Sequence, residues 1–161
     1  MHLKNILITQ DFTQLELEGS FIQDLIICKY SYNAESKDGL AREYIHFVGR
    51  IGEKNDISFV IGSWMALMES DWFNNKDTVK IWSDGGPKHF KISANMKFLL
   101  ALQQAKPDLN WEYNFFSPYH GCSICDGVAA QAKRALNIRM RDEQTPIRTP
   151  EKAISTNWTT H

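Results

Sequence analysis

Val79-Lys80-Ile81-Trp82-Ser83-Asp84-Gly85-Gly86-Pro87 decides how the rest of the chain is read. Val79, Ile81 and Trp82 are apolar β-formers in a short run, and Asp-Gly-Gly-Pro behind them is a stop, so the segment is a strand ending at Asp84. Stretches of helical period flank it. Upstream, Ile57, Val60, Ile61, Trp64, Met65, Met68 and Trp72 recur at three- and four-residue steps. They predict an amphipathic helix over 56–73 with Asn55 or Asp56 as N-cap. Downstream, 92–105 reads as a second helix, with Met96, Leu99 and Leu102 inward and Pro107 just past its end. Trp111 to Phe116 is the next strand, and after Gly127 a third helix runs to about Arg141 with Val128, Ala132, Ala135 and Leu136 on its apolar side. Strands separated by helices pair in parallel through right-handed crossovers.

The N-terminal part has a different period. Ile6-Leu7-Ile8 is a first apolar run, Leu15 to Glu18 alternates ahead of a Gly19-Ser20 turn, and Leu25 to Tyr30 is rich in β-formers. A polar loop, Asn33 to Gly39, leads to the strand Tyr44 to Val48, which completes an antiparallel meander. The order is β-β-β-α-β-α-β-α, an α/β fold with a mixed five-stranded sheet and helices on its faces. Residues 1–141 form this core. Residues 142–161, with Thr145-Pro146 and Thr149-Pro150, are expected to be a loosely attached and truncated tail.

Composition narrows the partners. With 161 residues the chain is expected to be one domain with a sizeable core, and 43% hydrophobic against 23% charged residues is the profile of a soluble globular protein. Eighteen Lys and Arg against nineteen acids leave a net charge of −1, so any surface for nucleic acid must be local. Three cysteines without a signal peptide point to thiols in a reducing, intracellular setting. No apolar run reaches the roughly 18 residues that span a bilayer, so no membrane partner is expected.

Three aspartates stand at element ends: Asp11 after Ile6-Leu7-Ile8-Thr9-Gln10, Asp84 after the fourth strand, and Asp126 at the opening of the third helix. Carboxylates there are costly unless paired or metal-bound, and several converging ones suit hard divalent cations such as Mg²⁺ or Mn²⁺. If the first and fourth strands are neighbours, Asp11 and Asp84 lie side by side and the third helix can bring Asp126 to them. Gly85 and Gly86 leave room for close approach to Asp84. The bland alternative is that each Asp caps a turn or helix. His120, six residues before Asp126, is a candidate proton shuttle or a loop histidine bonded to backbone. His120, Cys122 and Cys125, with His89 as a fourth ligand, also permit a zinc reading. Basic clusters lie at Lys88, His89 and Lys91 and at Lys133, Arg134, Arg139 and Arg141. Asp126, Ala130, Lys133 and Asn137 share one helical face, past which a phosphate backbone could run.

Trp82-Ser83-Asp84-Gly85 with Lys88-His89-Phe90-Lys91, then Phe115-Phe116, His120-Gly121-Cys122, Cys125-Asp126-Gly127 and Lys133-Arg134, form a recognisable series. It resembles the ribonuclease-H-like catalytic core of DDE/DDD transposases and retroviral integrases, most closely uncharacterised eukaryotic transposon-derived proteins, with Cys122 in place of the motif's lysine. The resemblance covers about residues 5–141 and is most specific between 79 and 134. It implies two-metal phosphoryl transfer on DNA with Mg²⁺ or Mn²⁺ and Asp11, Asp84 and Asp126 as the metal-binding triad. Nucleic acid would meet Lys88, Lys91, Lys133 and Arg134. A homo-oligomer, nuclear in a eukaryotic cell, fits this reading. Its rivals are a domesticated, inactive DNA- or protein-binding module on the same fold and a nuclease acting on RNA/DNA hybrids.

Overall fold

The computed structural model describes residues 5–17, 20–49, 57–83, 93–117, 124–144, 147 and 149–155, with side chains at 8–10 and, within those spans, from 23 onward. The elements are β1 (Asn5–Leu17), β2 (Ser20–Tyr32), β3 (Leu40–Gly49), α1 (Ile57–Met68), β4 (Thr78–Ser83), α2 (Ser93–Ala105), β5 (Asn110–Phe115), α3 (Ile124–Glu143) and α4 (Pro150–Ile154). The described strands form one five-stranded sheet in the order β3-β2-β1-β4-β5. β1–β2 and β2–β3 are antiparallel, while β1–β4 and β4–β5 are parallel, the arrangement that the alternation of strands and helices demands.

β1 is longer than its apolar run suggests. Its antiparallel ladder with β2 continues from Leu7↔Tyr30 to Leu17↔Ser20, so Asp11 lies inside the strand, opposite Ile26, rather than after its end. The parallel ladder with β4 stops earlier, at Gln10↔Ser83. Asp11 is therefore the first β1 residue past β4. Backbone pairing to β2 carries the strand through residues whose side-chain pattern alone would not sustain it.

Alternation along β2 builds both faces of the core. Leu25 and Ile27 join Ile8, Val60, Trp64, Leu67, Val79 and Ile81 beneath α1 and α2, while Ile26 and Cys28 meet Cys125, Val128 and Ala129 of α3. Leu25 to Cys28 are all fully buried, and each large apolar side chain so placed contributes about 1.5–3 kcal/mol. Gly39, at φ 72°, closes the β2–β3 loop, where Asn33 N–H donates to its carbonyl at 2.9 Å. Gly49 ends β3 beneath Phe59, whose ring would lie 2.9 Å from any added Cβ.

Three expectations change. α1 ends at Met68 rather than near 73, because Ser70 takes the Leu67 carbonyl with both its N–H and its hydroxyl and then caps a 3₁₀ turn over Asp71–Phe73. Trp72 is buried from that turn, and its Nε1 donates to Glu43 at 2.8 Å. Met65 and Met96, at the margins of their apolar arcs, are 60% and 36% exposed instead of inward. α3 begins at Ile124, ahead of Gly127.

The described residues of the C-terminal segment, Ile147 and 149–155, are packed rather than loose. Thr149 caps α4, and Ile147 and Ala153 are buried against Leu136 of α3, with Val48 and Met140 alongside. Arg139 reinforces the contact, reaching the Lys152 carbonyl and Ser155 Oγ from α3. Leu136→Ala is expected to lower unfolding free energy by about 2–5 kcal/mol through a cavity under α4, read as a lower urea midpoint at unchanged slope.

Candidate active site

The last β1–β4 pair, Gln10↔Ser83, sets the geometry. Asp11 follows Gln10 in β1. Asp84 follows Ser83 in the chain and lies outside the described residues, as do His120, Lys88, Lys91, His89 and Cys122. The third acid arrives by packing. Cys125 is fully buried, with its Sγ 3.6 Å from Thr9 Oγ1 and 3.8 Å from the Thr9 carbonyl, to which the thiol donates. This contact fixes the first turn of α3 against β1 two residues before Asp11. Asp126 follows the anchor and is exposed on that first turn, where the helix dipole favours a carboxylate.

A buried polar network lies on the opposite face of β1. Gln10 is 1% exposed among apolar neighbours. Its Oε1 accepts from Trp64 Nε1 at 2.8 Å, its Nε2 donates to Tyr113 Oη at 2.7 Å, and Tyr113 Oη lies 3.0 Å from Ser83 Oγ. The network thus joins the residues directly before Asp11 and Asp84. Sequence reasoning passed over these four residues. The available signal was a glutamine in phase with Ile6 and Ile8 on an inward strand position, which needs buried partners that no local pattern identifies.

Cys28 and Cys125 are packing groups. Burial pushes the Cys28 thiol up to about 11, helped by the proximity of Cys125, and burial pushes Tyr30 up to about 12. A structural zinc needs deprotonated thiolates. Among the described residues no group of three or more His, Cys, Asp or Glu side chains could hold a metal. Cys125, the described member of the zinc reading, is engaged with Thr9 instead.

Along the exposed face of α3 runs a groove of about 470 Å³ lined by Ala130, Lys133, Arg134, Asn137, Ile138 and Arg141. The described ion pairs of this helix are Arg139–Glu143 at 2.8 Å and Arg141–Asp142 at 3.2 Å. Lys133 and Arg134 therefore have no carboxylate partner among the described residues. Asp126, Ala130, Lys133 and Asn137 are all exposed on α3, and the cationic part of this stripe lies two turns from the acid.

Comparison with known proteins agrees with this architecture. The family described as "Domain of unknown function (DUF8701)" matches residues 57–160. No curated protein is significantly similar in sequence. Among solved structures, a chain of the simian T-cell lymphotropic virus intasome in complex with PP2A regulatory subunit B56 gamma superposes with a TM-score of 0.60 at 14% identity. That match covers 99% of this chain and 49% of the other, so the chain spans about half of that relative's length. The HTLV-2 integrase catalytic core domain in complex with magnesium, in its trimeric form, superposes with a TM-score of 0.56 at 13% identity over 98% of this chain and 85% of that one. At such identities the likeness establishes the fold, which is ribonuclease-H-like. Among the described residues no helix is long and apolar enough to cross a membrane.

The raised Cys28 pKa has a definite sign. Between its ordinary value of 9.0 and about 11 the native state holds a proton that the unfolded chain has released, so stability falls as pH rises through that window. Cys28 alone is expected to cost about 2–3 kcal/mol by pH 11. Urea midpoints at pH 7, 9 and 10.5 should drop steeply only over the last step, and Cys28→Ala should make that step shallower.

Proposed function

This chain belongs to the DUF8701 family, and for it we propose metal-dependent phosphoryl transfer on DNA, nicking and strand transfer of the transposase or integrase kind, in a protein of eukaryotic transposon origin. The observation that carries this reading is the parallel β1–β4 ladder ending at Gln10↔Ser83, beside which Cys125 ties the start of α3 to Thr9. Asp11, Asp84 and Asp126 are each the next residue in the chain from one of these fixed points.

The donor set fits the cation. Three carboxylates supply hard oxygen ligands suited to Mg²⁺ or Mn²⁺, and burial keeps the nearby Cys28 thiol protonated, with its pKa pushed up to about 11. Asp11 and Asp84 would hold one ion between them, and Asp126 would complete the second. Bound there, the ions supply Lewis acidity, lower the pKa of a coordinated water and neutralise charge on phosphate oxygens. The protein's own work is orientation. Asp126 is carried on a helix fixed to the sheet, while Lys133 and Arg134 would hold phosphates flanking the scissile bond, and Lys88 and Lys91 would bind nucleic acid as well. His120 would take the proton released by the attacking hydroxyl. Homo-oligomerisation belongs to the same proposal; the HTLV-2 core occurs in a trimeric form.

Mn²⁺ is expected to raise the melting temperature by binding the folded state, and Asp84→Asn to remove most of that rise. Wild-type protein should nick DNA with Mn²⁺. Asp126→Asn should abolish nicking with little change in DNA affinity. Lys133→Ala with Arg134→Ala should instead weaken binding and flatten its salt dependence by about two phosphate contacts. A wild type that binds DNA through these two residues but neither nicks nor joins strands would replace the enzyme with a domesticated binding module.

A further inference from the structure

The buried network of Gln10, Trp64, Tyr113 and Ser83 has a specific placement, at the last pair of the β1–β4 ladder. Trp64 Nε1 can only donate, so the Gln10 oxygen must face it, and the Gln10 amide nitrogen is thereby directed to Tyr113. Ser83, fully buried, meets the same tyrosine hydroxyl. Four elements, α1, β1, β4 and β5, thus converge at one level of the sheet, where Gln10 pairs with Ser83 and Ser83 with Phe115. The backbone adds one more tie there, from Phe116 N–H to the Ser83 carbonyl at 2.9 Å.

Apolar side chains would fill this space without the hazard of orphaned polar groups. A polar network does something that they cannot. Sliding β4 by one residue against β1 would turn Ser83 to the other face of the sheet and break its contact with the Tyr113 hydroxyl, whereas an apolar core tolerates repacking. Carboxylates gathered to share cations repel one another when the cations are absent, and in this reading the repulsion acts beside the end of the β1–β4 ladder that the network ties together.

We propose that Gln10, Trp64, Tyr113 and Ser83 form a register lock that positions the metal-binding acids, holding Gln10 of β1 and Ser83 of β4, the residues that precede Asp11 and Asp84 in the chain, at a fixed separation before any ion binds. This inference rests on the phosphoryl-transfer reading. The four are positioning residues and touch neither ion nor substrate.

Tyr113→Phe tests it, because the ring that packs against Phe115 stays and only the hydroxyl is lost. The Mn²⁺ concentration giving a half-maximal thermal shift is expected to rise about tenfold, as for other residues that orient ligands from behind. In metal-free protein, amide exchange should quicken at residues 9–11 and 81–84 and stay unchanged in β2 and β3. DNA affinity without metal should not move. Trp72→Phe is the control for a purely structural loss. It removes a comparable indole hydrogen bond, to Glu43, and should lower the melting temperature without shifting the Mn²⁺ midpoint. Ser83→Ala deletes a smaller group and should give the same signs as Tyr113→Phe, more weakly, which keeps the test open if Tyr113→Phe folds poorly. An Mn²⁺ midpoint within twofold of wild type in both variants overturns the inference, even if exchange quickens, since the lock would then serve stability alone. A wild type with no Mn²⁺ response overturns the metal reading itself and this inference with it.

Discussion

Six residues of β1, Asn5 to Gln10, pair in parallel with Thr78 to Ser83, and most of the molecule is arranged around that short ladder. A parallel pair cannot be closed by a hairpin, so the chain must leave the antiparallel meander, cross one face of the sheet and return beside β1. α1 makes that crossing, and its apolar residues Val60, Trp64 and Leu67 are held there by Ile8, Val79 and Ile81. The ladder also determines where pairing stops. Beyond Gln10 the β4 side of β1 has no further partner in the ladder, whereas β2 continues alongside to Leu17. The first residue past that boundary is an aspartate in β1, and the next residue after β4 in the chain is another.

The two faces of the sheet divide the labour. Beneath α1 and α2 lies the larger apolar core, and within it the amide of Gln10 bonds Trp64 and Tyr113, with Ser83 joined through the tyrosine. The α3 side is thinner and uses smaller groups: two thiols, Val128, Ala129 and Ala132. Small residues let α3 lie close on β1 and β2, which is why one cysteine can reach both the hydroxyl and the carbonyl of Thr9. That close approach leaves the opposite side of α3 to solvent, with Lys133 and Arg134 on it. The chain's near-zero net charge conceals this stripe, because acids elsewhere cancel it in the sum.

The C-terminal residues show how local composition misleads. Thr-Pro pairs and scattered charge between 142 and 161 read as a loose tail. Yet Ile147 and Ala153 find a hydrophobic site made by Leu136 and Val48, residues distant in sequence, and Arg139 spans the gap to α4. The DUF8701 match likewise extends through residue 160.

Composition and periodicity determined the element types and their order, because the β-formers of Leu25 to Tyr30 favour a strand and the three- and four-residue steps in α1 reflect which face each residue must bury. From the order followed the parallel crossovers, while the adjacency of the first and fourth strands, on which the pairing of Asp11 with Asp84 depends, came from the fold. The same reading located Asp126 at the start of α3 and its basic, solvent-facing stripe. Tertiary structure decided what depends on partners far along the chain. Pairing with β2 put Asp11 inside β1 instead of after it, the Ser70 cap ended α1 early, and the outward turn of Met65 and Met96 was settled by how α1 and α2 lie on the sheet. Gln10 is the clearest case. Its sequence neighbours explain why a residue there should be buried, but Trp64, Tyr113 and Ser83, which make burial of an amide affordable, are brought to it only by folding, and a hydrogen bond leaves no periodic trace in sequence.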